Sequence, residues 1–452
     1  MKTHQIAIPF FLFILTGLFY SWNALSYPMV YDDLHLIRSF SNAEIVQSFH
    51  GTWDPDNVET PGFRPLTLLF NHVRYELFGE NVVAHRFFLI ILVALFFTMI
   101  VFISTKLETT SWLWATCSGI LCIGARYNVV HYVWLSDGIH LVQGVFWGVS
   151  VLMLLTALER SNFWLFLGSF TFIGLNLLVR EDSIIAIPSI IILGGYFVMY
   201  YKPQSKRSFV GYFLMVVVLC IGFFQYRTWV LPEGQEAITD LFGFVKHVVY
   251  MVSLPGLSFF NSLSKGFVYS WIVTVIGLFF IFISETIKKR NWSSLIWLVS
   301  GVAACLSGIS VTRVNLLLFP IAFFCIFLCS FASSLAKKSL FGSALAIGIV
   351  VLGITSEVYI TPIITQNFHP YSSTATVMNV EFIYGNGKAA RRSIIPLERK
   401  ENMVKQLQTV GITSSRNLGS FLKEMIANAI KDGRRTPNGE NFFVPYLRVF
   451  NP

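Results

Sequence analysis

Ile6-Ala7-Ile8-Pro9-Phe10-Phe11-Leu12-Phe13-Ile14-Leu15-Thr16-Gly17-Leu18-Phe19-Tyr20-Ser21-Trp22-Asn23-Ala24-Leu25 carries no charged residue, and Tyr31-Asp32-Asp33-Leu34 follows shortly after it. At about 1.5 Å per residue the run spans about 30 Å, the thickness of a bilayer's hydrocarbon core. Two adjacent carboxylates therefore sit just past a membrane exit. A carboxylate at an interface can take a proton from an acceptor hydroxyl. An Asp at this position can equally cap the interfacial helix that follows. The four residues alone leave both readings open.

Composition sets the class. The chain has 452 residues, 54% hydrophobic and 13% charged, against about 25% charged in a soluble domain. An α-helical polytopic membrane protein is expected. The six cysteines, at 117, 122, 220, 305, 325 and 329, all fall in apolar stretches, so they do not form a disulfide framework. The net charge of +9 is set by topology and does not point to nucleic acid, because the basic residues form no strip interleaved with aromatics.

Working outward, hydropathy places about 11 spans: 6–25, 83–104, 111–125, 139–157, 162–179, 183–201, 209–230, 267–287, 293–310, 314–335 and 340–360. With the N-terminus inside, the short inner loops hold Lys106, Arg160, Lys202, Lys206, Arg207, Lys288, Lys289, Arg290, Lys337 and Lys338. That is the positive-inside pattern. Lys2 and Ala24-Leu25-Ser26 also resemble the flanks of a cleaved signal, but the run is long for one, and retention of the first span is expected. Residues 1–360 form the membrane domain, with 26–82 as a first outer loop. Residues 361–452 turn polar, with twelve Lys/Arg against six Asp/Glu. They read as a small non-cytoplasmic α+β domain with helices at 397–409 and 419–431, which could dock the acceptor, cover the active site or only pack on the membrane domain.

The first outer loop reads as two interfacial helices. Residues 34–50 are amphipathic, and Ser41-Asn42-Ala43-Glu44 resembles a capping box that restarts the helix. Pro65 suits the first turn of the second. There Leu66, Leu69, Phe70, Val73 and Leu77 make the apolar face, with Arg74 and Glu76 off it.

Phe63-Arg64-Pro65-Leu66, then Leu77-Phe78-Gly79-Glu80-Asn81, then His85, all behind an acid pair, is similar to the GT-C superfamily of polytopic glycosyltransferases. The branch it most resembles contains the protein O-mannosyltransferases and the transmembrane and tetratricopeptide mannosyltransferases. Tyr132-Val133-Trp134-Leu135-Ser136-Asp137-Gly138, Arg180-Glu181-Asp182-Ser183 and Arg313-Val314-Asn315-Leu316 with Pro320 loosely match later segments. Phe88 and Leu92 stand where family members often have Asn and His, Val314 stands where they have Tyr, and no tetratricopeptide repeats follow.

The resemblance implies transfer of a sugar from a polyprenyl-phosphate donor to a hydroxyl of a glycan, lipid or protein acceptor. It places the active site on the non-cytoplasmic side of the plasma (inner) membrane. Asp32 would be the general base, and Asp33 would orient the acceptor or tune Asp32, since two close carboxylates resist ionising together. Attack opposite the leaving phosphate would invert the anomeric carbon. Arg64, Arg313 and Arg180 are candidates for the donor phosphate, which gains charge as it leaves. Snorkelling to headgroups is the other reading of Arg64, and an internal ion-pair cluster the other reading of Arg180-Glu181-Asp182. Glu181, Asp182, His85 and Asp137 are candidates to meet the acceptor or support these groups. No metal ligands are assigned. A divalent cation stays open, with His131, Asp137 and His140 close in sequence but not at His-x-x-x-His spacing. The alternative is a transporter or flippase of a lipid-linked glycan, which would favour internal repeats and mid-membrane charges.

Overall fold

The computed structural model describes residues 4–29, 33–54, 62–231, 243–245, 247–249, 251, 284, 287, 292–306, 314–336, 347–348, 350–351, 354, 397–409 and 411–414. Every regular element among the described residues is a helix. In chain order the helices are α1 His4–Ser21, α2 Asp33–Leu36, α3 Asn42–Ser48, α4 Pro65–Phe78, α5 Val82–Lys106, α6 Trp112–Gly124 and α7 Arg126–Val133. They continue as α8 Ile139–Arg160, α9 Phe163–Val179, α10 Ile187–Tyr200, α11 Lys206–Val230, α12 Trp292–Ala304, α13 Leu318–Ala336 and α14 Leu397–Thr409. Five segments are long and apolar enough to cross a membrane: His4–Ala24, Val82–Lys106, Ser136–Arg160, Glu181–Tyr200 and Pro203–Val230. Four shorter apolar helices, α6, α9, α12 and most of α13, pack among them. The chain is an integral membrane protein.

Lipid and protein faces separate cleanly. Phe11, Leu15 and Phe19 of α1 and Val218 and Trp229 of α11 are exposed, as side chains facing hydrocarbon would be. Inside, Trp147 of α8 stacks edgewise between Phe96 of α5 and Phe319 and Phe323 of α13. Polar bonds join helices where apolar surface alone gives little preference between protein and lipid. Trp147 Nε1 donates to Ser189 Oγ at 2.8 Å, and the hydroxyls of Ser169 and Tyr212 meet at 2.6 Å.

Chain ends and turns gather in the alternating order that the charge pattern predicts. At one end Lys106 pairs with Glu159, Tyr201 donates to Leu107 O, Ser205 donates to Leu158 O, and Thr109 meets both Trp297 and Ser330. The other end holds the segment before α2, α4, α7 and the starts of α8 and α10.

Helices occupy nine of the stretches expected as spans, five of them, among the described residues, long and apolar enough to cross a membrane. The eighth expected span falls almost wholly outside the described residues, as does most of the eleventh. The sixth opens as a 3-10 turn, Glu181–Ala186, before α10. Residues 126–133, expected as loop, form α7. The 34–50 helix is two pieces, α2 and α3. Ser41 Oγ accepts from Glu44 N while the Glu44 carboxylate accepts from Ser41 N, so the capping box restarts the chain as its pattern requires.

α4 forms where the second interfacial helix is expected: on its apolar face Val73 is 46% and Leu77 66% exposed, as side chains meeting lipid would be, while Thr67, Asn71 and Arg74 are buried. An amphipathic helix at a lipid boundary next to a polar site turns its polar stripe inward, the reverse of the soluble rule. Gly79, with φ of +53°, ends it in a conformation that side chains rarely adopt. The 397–409 helix is present as α14. The 419–431 helix and the β-prone runs lie outside the described residues.

Candidate active site

The acid-bearing segment is held from both sides by buried guanidiniums. Upstream, Arg86 in the first turn of α5 is fully buried and reaches backwards. Its Nη1 donates to Leu25 O at 3.0 Å and to Tyr27 O, its Nη2 approaches Pro28 O at 3.5 Å, and its Nε donates to Val133 O at 3.0 Å. Downstream, Arg399 of α14 donates to Leu34 O at 2.9 Å and Ile37 O at 2.8 Å.

Asp33 opens α2 and is fully buried. Its Oδ1 accepts from Ser136 N at 2.7 Å, anchoring the segment to the turn Ser136–Gly138 ahead of α8. Burial pushes the Asp33 carboxyl above the usual range, against the Ser136 N–H and the charges of Arg86 and Arg74. Burial also lowers the Arg74 guanidinium to about 10, with Asp33 opposing the shift, so Arg74 stays charged at neutral pH. Arg74 donates to Leu135 O at 2.9 Å and to Asn71 Oδ1 at 3.2 Å. Gly138 lets this turn press on α5, since a Cβ there would lie 2.4 Å from Leu89 Cδ2.

From the same turn a second network runs across the bundle. Asp137 Oδ2 accepts from His131 Nδ1 at 2.7 Å, and Asp137 Oδ1 lies 3.5 Å from His140 Nε2. Gln143 Nε2 donates to Asp182 Oδ1 at 2.9 Å and Ser183 Oγ at 2.6 Å. Its Oε1 must then accept from His140 Nδ1, at 2.7 Å, which leaves Nε2 beside Asp137 as the position where His140 can gain a proton. Arg180 forks onto Asp182 with Nη2 to Oδ2 at 2.9 Å and Nε to Oδ2 at 3.1 Å. His140, Gln143 and Asp182 border a cavity of about 20 Å³ with Leu316 and Phe319, room for about one water molecule.

Glu181 faces the other way. It bridges two half-buried arginines, Arg227 at the end of α11 through its Nε, and Arg64 through Nη2 at 3.7 Å. Arg64 also lies over the Trp53 ring, 5.4 Å from its centre. Thr67 donates to Val179 O at 2.6 Å, tying α4 to the end of α9 where this cluster begins.

Among the sequence candidates, the fold thus brings Asp33, Asp137, Asp182, Arg180, Glu181 and Arg64 to one end of the bundle. Arg180 engages Asp182 within the 180–182 cluster, and Glu181 looks outward to Arg64 and Arg227. His85 stands apart as a turn-holder, its Nε2 donating to Gly79 O at 2.9 Å. Asp32 and Arg313 lie outside the described residues. Sequence reasoning missed Arg74, Arg86, Arg227 and Arg399. A charged residue in the first turn of an apolar span, as Arg86 is, was the one available signal. Asp137 Oδ2 is bonded to His131, while His140 Nε2, 3.5 Å from Asp137 Oδ1, has no hydrogen-bond partner among the described residues. Among the described residues no group of three or more His, Cys, Asp or Glu side chains is arranged to hold a metal ion.

No family model matches the chain, and no curated protein does. A search of solved structures finds the crystal structure of ArnT from Cupriavidus metallidurans bound to undecaprenyl phosphate. It shares 13% identity over 81% of this chain and 76% of that one, with a TM-score of 0.44. A likeness of that size decides neither family nor chemistry.

Proposed function

We propose that the chain is an inverting glycosyltransferase of the GT-C kind, moving a sugar from a polyprenyl-phosphate carrier to an acceptor hydroxyl at the non-cytoplasmic face of the plasma (inner) membrane. One observation carries the reading. The backbone on both sides of the acid pair is gripped by buried guanidiniums, at the same end of the bundle as half-buried arginines able to meet an anion. Holding a carboxylate segment rigid beside fixed positive charge is what base-assisted attack on a phosphate-linked sugar requires.

In this account Asp32 takes the acceptor proton while the acceptor oxygen attacks the anomeric carbon. The bond to the lipid phosphate breaks on the opposite side, and the configuration inverts. Asp33, committed to Ser136 N–H, positions Asp32 and does not touch substrate. The departing phosphate gains charge and is met by Arg64 and Arg227, with Arg313 as a further candidate. The 3.7 Å contact of Arg64 with Glu181 is long enough to exchange for a phosphate oxygen at small cost. Arg180, buried and forked onto half-buried Asp182, shapes the wall between these groups. Among the described residues the ionisable groups inside the spans lie near span ends, which supports an enzyme over a carrier with mid-membrane charges.

Membranes containing the chain, given a panel of radiolabelled polyprenyl-phosphate sugars, should transfer label from at least one. Label that stays lipid-linked with every donor, while the sugar crosses the bilayer, would replace the enzyme with a flippase.

A further inference from the structure

We propose that Arg399 is a positioning residue for the acid pair, so that the segment following the membrane domain completes the site and does not merely pack on it. The inference rests on the transferase reading for its kinetic part and on geometry for the rest.

α2 is only four residues long. A helix of one turn has no stability of its own, because nucleation costs more than one hydrogen bond returns. It must be held from outside. At its start the Asp33 carboxylate is fixed by Ser136 N–H. At its end the carbonyls of Leu34 and Ile37 point away without intrahelical partners, as the last carbonyls of any helix do. Arg399 supplies both donors, Nη1 to Leu34 O at 2.9 Å and Nη2 to Ile37 O at 2.8 Å.

The rest of the guanidinium is fixed as firmly. Nε lies 2.9 and 3.0 Å from the two oxygens of Glu80, and Nη2 lies 2.7 Å from Glu80 Oε1. The plane also sits over the Tyr75 ring, 5.5 Å from its centre. Glu80 follows α4, so Arg399 joins α2, α4 and α14. Arg399, Met403 and Leu407 recur at intervals of four and are all buried, one face of α14 seated on the membrane domain. A lysine could match the charge but not the planar fork that spans two carbonyls and a carboxylate.

The test uses the full-length detergent-solubilised protein and the variants Arg399→Ala, Arg399→Lys and Glu80→Gln. Backbone hydrogen exchange over residues 33–40 should rise about tenfold in Arg399→Ala, as expected for losing charge-assisted bonds to buried carbonyls. The rise should be smaller in Arg399→Lys and smallest in Glu80→Gln, with exchange in α5 and α8 unchanged. In transfer assays kcat should fall in the same order while the donor KM stays level. Unchanged exchange over 33–40 in folded Arg399→Ala overturns the clamp. So does a loss of transfer that only tracks the folded fraction. If Arg399→Ala does not fold, the ranking of Arg399→Lys against Glu80→Gln decides, and equal exchange in both with the unsubstituted protein rejects the proposal. Raised exchange in a protein that transfers no sugar from any donor instead upholds the clamp and removes the transferase reading.

Discussion

Arg86 and Arg227 each bind oxygen at the same end of the bundle, yet they solve different problems. Arg86 is fully buried and spends its donors on four backbone carbonyls. Arg227 keeps 24% of its side chain exposed and faces one side-chain carboxylate, Glu181, which Arg64 shares. A buried guanidinium whose contacts are all to carbonyls holds backbone. A half-exposed one on a shared carboxylate can change partners. The contrast divides the arginines into those that build the site and those that serve it.

The division can be broken by substitution. Arg86→Ala should have the largest effect. It leaves the carbonyls of Leu25, Tyr27 and Val133 unpaired in a buried place, at about 1–3 kcal/mol each, and thermal unfolding in detergent should show the protein melting far earlier or failing to fold. Asp33→Ala comes next. It orphans Ser136 N–H, costing about 1–3 kcal/mol, and should abolish transfer together with stability. Arg227→Ala is expected to behave oppositely, with stability changed by less than about 1 kcal/mol and transfer reduced about 10²-fold, the usual cost of one missing transition-state donor. A melting temperature that falls in Arg227→Ala as far as in Arg86→Ala would erase the distinction.

The smallest effect belongs to the capping box. Ser41→Ala should cost about 1 kcal/mol with transfer intact, read by melting and assay together. Burial works against the Glu44 charge there, but Arg38 and Ser41 prevail and hold its carboxyl below the usual range. The contribution is therefore present above the unfolded carboxylate value of about 4.3. It is lost as the pH falls through the lower folded value, so the Ser41→Ala difference in melting temperature should shrink in acid and persist at neutral pH.

How much of this was legible in the sequence depends on what each feature is made of. Spans are made of apolar runs, so α1, α5, α8, α9 and α11 fall where hydropathy puts them. The restart at α3 is made of Ser41 and Glu44 side chains and was equally readable. α4 was readable as an interfacial helix with Arg74 off its apolar face; that Thr67, Asn71 and Arg74 form one stripe buried against protein was not, because it depends on what α4 packs on. The clamps escaped for a deeper reason. Arg86 and Arg399 act on backbone carbonyls, which every residue has, so no motif marks their partners, and Arg399 is more than 360 residues from Leu34 and Ile37. The closeness of His131, Asp137 and His140 was visible in spacing. The bond from His131 Nδ1 to Asp137 was not, because it needs the turn at Ser136–Gly138.

The central proposal is that Asp32 is the base for transfer from a lipid-linked sugar. Its most direct test measures transfer by Asp32→Asn in membranes beside the unsubstituted protein, with melting recorded on both. The expected result is loss of transfer at an unchanged melting temperature. Asp32→Asn that still transfers sugar at the normal rate would contradict the account.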